Sequence, residues 1–173
     1  MKDQIFKYGL FVAGFQIAVT LILYILGPEM MANTWAGIST FVISLGILVY
    51  GVIDYRKQNG GFLEFKEAFK LGFLVLMVAA ILGVLFNGLL YTVIDPGLPE
   101  QLKEIAIENT VRMMEKFGST EADIDDAVDR IQAQSFTLGA QLTNLLWAVP
   151  VNALFAVIIA AFLKKKQPVI FED

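Results

Sequence analysis

The stretch Asn59–Pro96 reads NGGFLEFKEAFKLGFLVLMVAAILGVLFNGLLYTVIDP and holds a complete membrane span with its two boundaries. It opens with a glycine turn, passes through charged residues set between phenylalanines, and continues as almost uninterrupted apolar sequence. The apolar part, Leu71–Ile94, can cross a hydrocarbon core of about 30 Å with some tilt, at about 1.5 Å per residue. It stops at Asp95-Pro96, because proline disrupts a continuing helix. The stretch therefore predicts a transmembrane helix.

The segment before this span is amphipathic and marks the membrane surface. Its phenylalanines recur at spacings of three and four, which places them on one helical face: Phe62, Phe65, Phe69 and Phe73. Charged residues fill most of the remaining positions: Glu64, Lys66, Glu67 and Lys70. We expect the rings to lie in the membrane interface before the helix enters the bilayer.

The composition of the whole chain is that of a membrane protein. Of its 173 residues, 57% are apolar and 17% are charged, whereas soluble domains carry about 45–50% and about 25%. The sequence contains no Cys and no His, which excludes disulfides, thiol chemistry and the usual imidazole base. Any bound metal would need carboxylate ligands alone, which restricts it to Mg²⁺, Ca²⁺ or Mn²⁺.

Three further apolar runs are long enough to cross a membrane, at residues 8–26, 34–53 and 138–163. A cleaved signal peptide is the alternative for the first run, but its apolar region should be only about 7–15 residues long. Pro150 lies inside the last run and should kink that helix or loosen one backbone hydrogen bond. The short tail Gln167–Asp173 is expected to be mobile.

The sequence therefore predicts an all-α fold, a four-helix transmembrane bundle with an extracytoplasmic helical hairpin between spans three and four. We expect a single membrane domain over residues 1–173, with spans at 8–26, 34–53, 71–94 and 138–163 and a hairpin insertion at 95–137.

The 95–137 segment is the one sizeable part of the chain that crossing the membrane does not require. Pro99 suits a helix start, Gly118 ends the first helix, and Ser119 or Thr120 can cap the second. Each helix has one apolar face, formed by Leu98, Leu102, Ile105, Ala106, Met113 and Phe117 in the first and by Ile124, Ala127, Val128 and Ile131 in the second. The segment carries ten acidic and four basic residues, a net charge of −6. The sequence therefore predicts an acidic helical hairpin.

Lysines and arginines sort to one side of the predicted bundle. Nine of the 13 lie in the N-terminal segment, in the 54–70 loop or after the last span, and the other four lie in the hairpin. The positive-inside rule then places both termini and the 54–70 loop in the cytoplasm. Four spans also require both termini on the same side, so the two arguments agree.

Polar residues within the spans are informative, because an amide in hydrocarbon is costly without a partner. Asn87 lies in the third span, and the fourth span carries a row of small and amide residues at every fourth position: Ala140, Asn144, Ala148, Asn152, Ala156 and Ala160. Such a row allows close helix approach. Two interpretations of the amides are open. They either form hydrogen bonds between helices, or they line a polar path or small-solute site; the residues concerned are Asn87, Asn144 and Asn152. No ionisable residue lies mid-span, which disfavours proton or ion coupling.

The sequence contains no convincing catalytic or cofactor motif. Asp125, Asp126 and Asp129 fit the DDxxD pattern of Mg²⁺-binding isoprenoid synthases, but the second acidic cluster and the large cavity of those enzymes are not expected here. Calcium-loop, P-loop and dinucleotide patterns are absent, as is an ordinary triad. We therefore expect a protein that is not an enzyme, with no catalytic, cofactor-binding or metal residues and no cofactor. Nucleic acid is not an expected partner of the acidic face.

The Asn59–Pro96 stretch also carries a family resemblance. Gly61-Phe62, the run Phe65–Lys70, Gly72 and the terminal Asp95-Pro96 resemble domain-of-unknown-function family 4199, a group of small bacterial integral membrane proteins. The four-span layout, with a helical insertion before the last span, is similar over nearly the whole chain. The resemblance implies a four-helix inner-membrane protein and supplies no activity, substrate or catalytic residue.

Two functional hypotheses from different classes follow. The first is a non-enzymatic multi-pass protein of the bacterial inner membrane whose acidic hairpin contacts another protein or packs over its own bundle. The alternative is a small-solute transporter or a lipid-handling protein that uses polar residues of spans three and four. An intramembrane or lipid-modifying enzyme is disfavoured for want of a nucleophile–base pair. The expected partners are the lipid bilayer and either another protein or a second copy of the chain.

Overall fold

The structure, a computed structural model, describes residues 1–165; Lys166 and the predicted mobile tail Gln167–Asp173 lie outside the described residues. Seven α-helices follow one another along this part of the chain: α1 (Lys2–Leu26), α2 (Pro28–Met31), α3 (Thr34–Gln58), α4 (Phe65–Leu89), α5 (Leu98–Lys116), α6 (Glu121–Gln132) and α7 (Leu138–Leu163). A π-helical turn, Leu90–Ile94, directly continues α4.

The prediction of an all-α protein with four candidate membrane spans is confirmed. The helices long and apolar enough to cross a membrane are Lys2–Leu26, Thr34–Gln58, Phe65–Ile94 and Gly139–Leu163. Three of them extend beyond the predicted apolar runs at one end, because a helix that satisfies its own backbone groups can continue into the polar interface. Between residues 1 and 165 there is no β-strand, and one isolated antiparallel bridge pairs Leu63 with Lys165.

The central element of the bundle is α4, which packs most extensively against α7 and α1. α3 packs mainly against α1 and less against α4. The buried cluster draws apolar residues from all four helices: Val12, Leu48, Val52, Leu71, Val75, Ala79, Ile159 and Ala160. The helix with the clearest sequence signal is therefore also the one around which the others pack.

Two glycines bring α1 close to its neighbours. A Cβ at Gly51 in α3 would lie 2.6 Å from Cγ of Tyr8, and a Cβ at Gly9 in α1 would lie 2.8 Å from Cβ of Val78 in α4. Both distances are shorter than van der Waals contact, so the helix spacing at these two crossings requires residues without a side chain.

One end of the bundle, the basic end, contains the start of α1, the end of α3, the loop before α4 and the end of α7. Leu63 and Lys165 exchange two backbone hydrogen bonds of 2.8 Å. Nη1 of Arg56 donates to the carbonyl oxygen of Leu163 at 3.2 Å, which satisfies one of the free carbonyl groups at the end of α7. These contacts tie the loop before α4 to the end of α7.

At the other end of the bundle, α5 packs against α6 and against α2. Pro99 lies in the first turn of α5, and Gly118 follows the helix with a positive φ of 74°, as the sequence predicts. Of the two predicted caps for α6, Thr120 is the one used, since its Oγ1 accepts a hydrogen bond from the backbone N–H of Asp123 at 3.2 Å.

Candidate functional site

The start of α5 is fixed to the bundle by the carboxylate of Asp95. Its Oδ1 accepts hydrogen bonds from the backbone N–H groups of Gly97 and Leu98 at 3.2 and 3.1 Å. Its Oδ2 accepts a hydrogen bond from the hydroxyl of Tyr24 in α1 at 3.2 Å. Leu98 is buried directly beside this junction. One side chain thus caps the start of α5 and joins it to the end of α1.

At the far end of α5, one large apolar side chain of the helix and one that directly follows it stay exposed. Met113 is 55% exposed and Phe117 is 81% exposed. No residue of α6 is buried, and α6 packs against α5. The two helices therefore cover each other only in part, and within residues 1–165 nothing buries Met113 and Phe117, which we call the apolar tip.

Acidic side chains dominate the rest of the α5–α6 surface. Nine are exposed: Glu100, Glu104, Glu108, Glu115, Glu121, Asp123, Asp125, Asp126 and Asp129. Two basic residues are engaged within the pair, because Arg112 forms an ion pair with Glu108 one helical turn away and Nζ of Lys103 donates to the carbonyl of Gln132 at 3.2 Å. No group of three carboxylates within residues 1–165 is placed to hold a metal ion. The surface is acidic without being organised around a cation.

An open cavity of about 560 Å³ lies between α5 and the corner formed by α2 and α3. Its walls include an ion pair, an indole, two other polar side chains and one aliphatic side chain: Glu108 with Arg112, Trp35, Glu29, Asn33 and Ile105. Trp35 is 75% exposed, and Oδ1 of Asn33 caps α3 by accepting a hydrogen bond from the backbone N–H of Trp35 at 2.9 Å. The exposed surface of α5 and the indole of Trp35 therefore face the same cavity.

The intramembrane amides lie in three different environments. Asn152 is half-buried and its Nδ2 donates to Sδ of Met77 at 3.8 Å. Asn87 is also half-buried, whereas Asn144 is exposed and lines an open cavity of about 430 Å³ with Gln141 and Thr143. No hydrogen bond between described residues joins Asn87, Asn144 and Asn152 to one another.

The predicted row of small residues on α7 packs against α4 in its second half. Ala156 and Ala160 are fully buried, and a Cβ at Gly72 of α4 would lie 3.7 Å from Cβ of Ala156. Asn144 at the other end of the row is exposed. This is the drift expected of a four-residue repeat on a helix with 3.6 residues per turn.

A polar network at the basic end was not predicted from the sequence. The hydroxyl of Tyr8 donates to Oδ2 of Asp54 at 2.8 Å, and Nε2 of Gln58 donates to the same oxygen at 3.0 Å. Nε2 of Gln4 extends the network to Oε1 of Gln58 at 2.8 Å. The available signal was topological and partial: boundary residues of two consecutive antiparallel spans lie at the same membrane level, so Tyr8 and Asp54 could be placed at one level, but the rotation that brings them into contact could not be predicted.

Four apolar helices long enough to cross a membrane, with α4 packed against the other three, define this chain as a helical membrane protein. The family model described as "Protein of unknown function (DUF4199)" matches residues 7–165. The chain belongs to this family, as the residues of the Asn59–Pro96 stretch predict. No curated protein and no solved structure matches the chain.

Proposed function

We propose that this chain is a non-enzymatic membrane protein that binds another protein through the α5–α6 pair. The observation that carries the proposal is the exposed apolar tip, Met113 and Phe117, on a helix pair that crossing the membrane does not require. Burial of a large apolar side chain contributes about 1.5–3 kcal/mol, so a partner that covers the tip gains favourable free energy. Exposed apolar residues rimmed by polar ones are typical of interaction surfaces.

The chemistry of the pair selects for a partner with basic residues around an apolar pocket. The apolar tip lies among exposed carboxylates, and the segment 95–137 has a net charge of −6. Complementary charge at the rim accelerates association and disfavours acidic competitors, while the buried aromatic residue supplies most of the affinity. Trp35, beside the cavity under α5, offers a second aromatic contact to the same partner.

We further propose that the basic end faces the cytoplasm of a bacterium and that the α5–α6 pair lies on the outer side of its inner membrane. Nine of the 13 lysines and arginines belong to the N-terminal segment, the 54–70 loop or the segment after α7. That asymmetry is the pattern on which the positive-inside rule rests. A partner would accordingly be a protein of the extracytoplasmic side or a membrane protein with a domain there.

Site-specific photo-crosslinking in cells tests the protein-binding role. A photoreactive amino acid at Phe117 should give one defined protein adduct, whereas the same probe at exposed Asp125 on α6 should give much less. Met113→Ser should reduce the adduct at position 117, since the partner's pocket would lose an apolar contact with the tip.

A deletion of residues 98–134 tests the same role by co-purification. It should preserve membrane insertion and abolish co-purification of the same partner. Lipid adducts alone at position 117, or a partner retained after the deletion, would contradict the proposal.

One observation supports small-solute transport or lipid handling as a second candidate. The open cavity beside Gln141, Thr143 and Asn144 places polar groups on the fourth span. Solute flux or lipid transfer in proteoliposomes that is lost in Asn144→Leu, with the thermal midpoint unchanged, would favour this candidate. Asn87→Leu should cause the same loss of flux or transfer, because a continuous polar path would need both amides.

A further inference from the structure

An open cleft lies between α1 and α3 at the basic end, away from α5 and α6. Its volume is about 330 Å³, which lies in the range of small-molecule sites, roughly 300–1,000 Å³. The cleft is lined by one cation, one carboxylate, two tyrosines and two apolar side chains: Lys7, Tyr8, Phe11, Ile47, Tyr50 and Asp54.

The charged part of the cleft contains two groups that can still bind a ligand, a carboxylate oxygen of Asp54 and the ammonium group of Lys7. Three groups of the protein approach Oδ2 of Asp54, namely Tyr8, Gln58 and Lys7. Its Oδ1 accepts no hydrogen bond from residues 1–165, and the side chain is 26% exposed. Nζ of Lys7 lies 3.7 Å from Oδ2, beyond hydrogen-bond distance, so its N–H donors remain available to a ligand. The cleft thus presents one free acceptor and one cation side by side.

The apolar part of the cleft extends towards the middle of the bilayer. Phe11 lies about one helical turn further into the span than Lys7, and Ile47 about two turns further than Asp54. Phe11 and Tyr50 are 59% and 64% exposed on the outer surface of the bundle. The charges therefore lie at the membrane boundary, where tyrosine is favoured, and the apolar walls lie at the level of acyl chains.

We propose that this cleft binds the headgroup of a zwitterionic aminophospholipid, with the lipid phosphate at Lys7 and the primary ammonium at Asp54. A ligand with one charge of each sign matches a cleft with one charge of each sign. An anionic headgroup would satisfy Lys7 but be repelled by Asp54. A quaternary ammonium has no N–H to donate to the free Oδ1, so a primary ammonium fits better. The acyl chains follow Phe11 and Ile47, which makes a lipid, and not a soluble phosphoester, the ligand.

Native mass spectrometry of the purified, delipidated full-length protein measures the preference directly. The probes are phosphatidylethanolamine, phosphatidylcholine and phosphatidylglycerol with identical acyl chains, and soluble glycerophosphoethanolamine. We expect phosphatidylethanolamine to bind most tightly and the soluble headgroup to bind far more weakly. Lys7→Gln and Asp54→Asn should each weaken phosphatidylethanolamine binding about tenfold, as expected for the loss of one charge-assisted contact.

Matched controls remove the same two charges at the basic end of the bundle but outside the cleft. Lys2→Gln and Asp3→Asn change exposed residues of the first turn of α1 and should leave the preference intact. Equal affinity for the three lipids, or equal effects of cleft and control variants, would overturn the proposal. Soluble headgroup binding as tight as that of the lipid would overturn the assignment of a lipid ligand. If Asp54→Asn does not fold, Lys7→Gln decides alone, because Lys7 is half-exposed.

Discussion

The crossing of α1 and α3 depends on the residue at position 51. The ring of Tyr8 occupies the space where a Cβ of residue 51 would lie, and the hydrogen bond from Tyr8 to Asp54 holds the ring there. The ring therefore cannot swing aside without losing a bond to a carboxylate. The sequence shows both residues but not their contact, because the contact depends on how each helix is rotated about its axis.

Gly51→Ala should destabilise the bundle by about 1–3 kcal/mol, the usual cost of inserting a methyl group into a packed contact. Gly46→Ala on the same helix is the matched control, since no atom lies within 4 Å of a Cβ there; its effect should stay within about 0.5 kcal/mol. Unfolding in detergent, followed by circular dichroism, measures both. Equal losses in the two variants would mean that α1 and α3 do not approach at Gly51.

Ser44 is the one fully buried polar side chain of the bundle core among residues 1–165. Its Oγ accepts a hydrogen bond from Nε2 of Gln16 at 3.2 Å and donates to the carbonyl of Thr40 at 2.8 Å. Ser44→Ala should cost about 0.6 kcal/mol, the average for an interhelical hydrogen bond in a membrane protein. Ser39→Ala, an exposed position of the same helix, should be neutral. A double-mutant cycle with Gln16→Leu that showed no coupling would contradict the bond.

Among the elements, the sequence predicts the existence of each span and the position of its apolar part, but not how the helix is rotated about its axis. Leu138–Leu163 is found within its predicted bounds, because a long apolar run has no stable alternative in a bilayer. Which face of that helix meets α4 could not be predicted from hydrophobicity, since the helix is apolar all round. The small-residue row was the only directional signal, and it marks the true contact at Ala156 and Ala160.

The α5–α6 pair could be predicted from local sequence signals instead of from a long apolar run. Each of its helices has one apolar and one charged face, and the helix starts coincide with Pro99 in the first turn of α5 and with the cap Thr120 before α6, so local chemistry determines where each helix starts. The bond from Tyr24 to Asp95 was not predictable, because it joins residues 71 positions apart. Local signals thus predict elements, while contacts between elements require the packed structure.

Asp95→Ala should loosen the start of α5 without unfolding the bundle. The variant removes two backbone hydrogen bonds to Gly97 and Leu98, and loss of a cap costs typically about 1 kcal/mol, or roughly fivefold faster amide exchange. Hydrogen–deuterium exchange of the first turn of α5 is the readout. Tyr24→Phe should change this exchange much less, because it leaves both backbone bonds in place. Exchange that accelerates equally in Glu104→Ala, an exposed position of α5, would contradict a capping role for Asp95.

At the scale of the whole molecule, the bundle has two chemically different ends. The basic end is closed by the Leu63–Lys165 backbone pair and by Arg56 on the end of α7. The other end carries the acidic α5–α6 pair on the Asp95 junction. Because lysines and arginines are retained on the cytoplasmic side during insertion, we expect this asymmetry to favour the orientation proposed above, with the basic end in the cytoplasm.

The absence of cysteine from the sequence allows that orientation to be tested with single introduced thiols. Asn59→Cys lies in the loop of the basic end and Glu121→Cys at the start of α6, both at exposed positions. In intact spheroplasts, a membrane-impermeant maleimide should label Glu121→Cys and should label Asn59→Cys only after permeabilisation, because four spans place the two positions on opposite sides. The reverse pattern would invert the orientation and move the apolar tip into the cytoplasm. Labelling of both positions from outside would contradict an odd number of crossings between residues 59 and 121, and with it the assignment of α4 as a span.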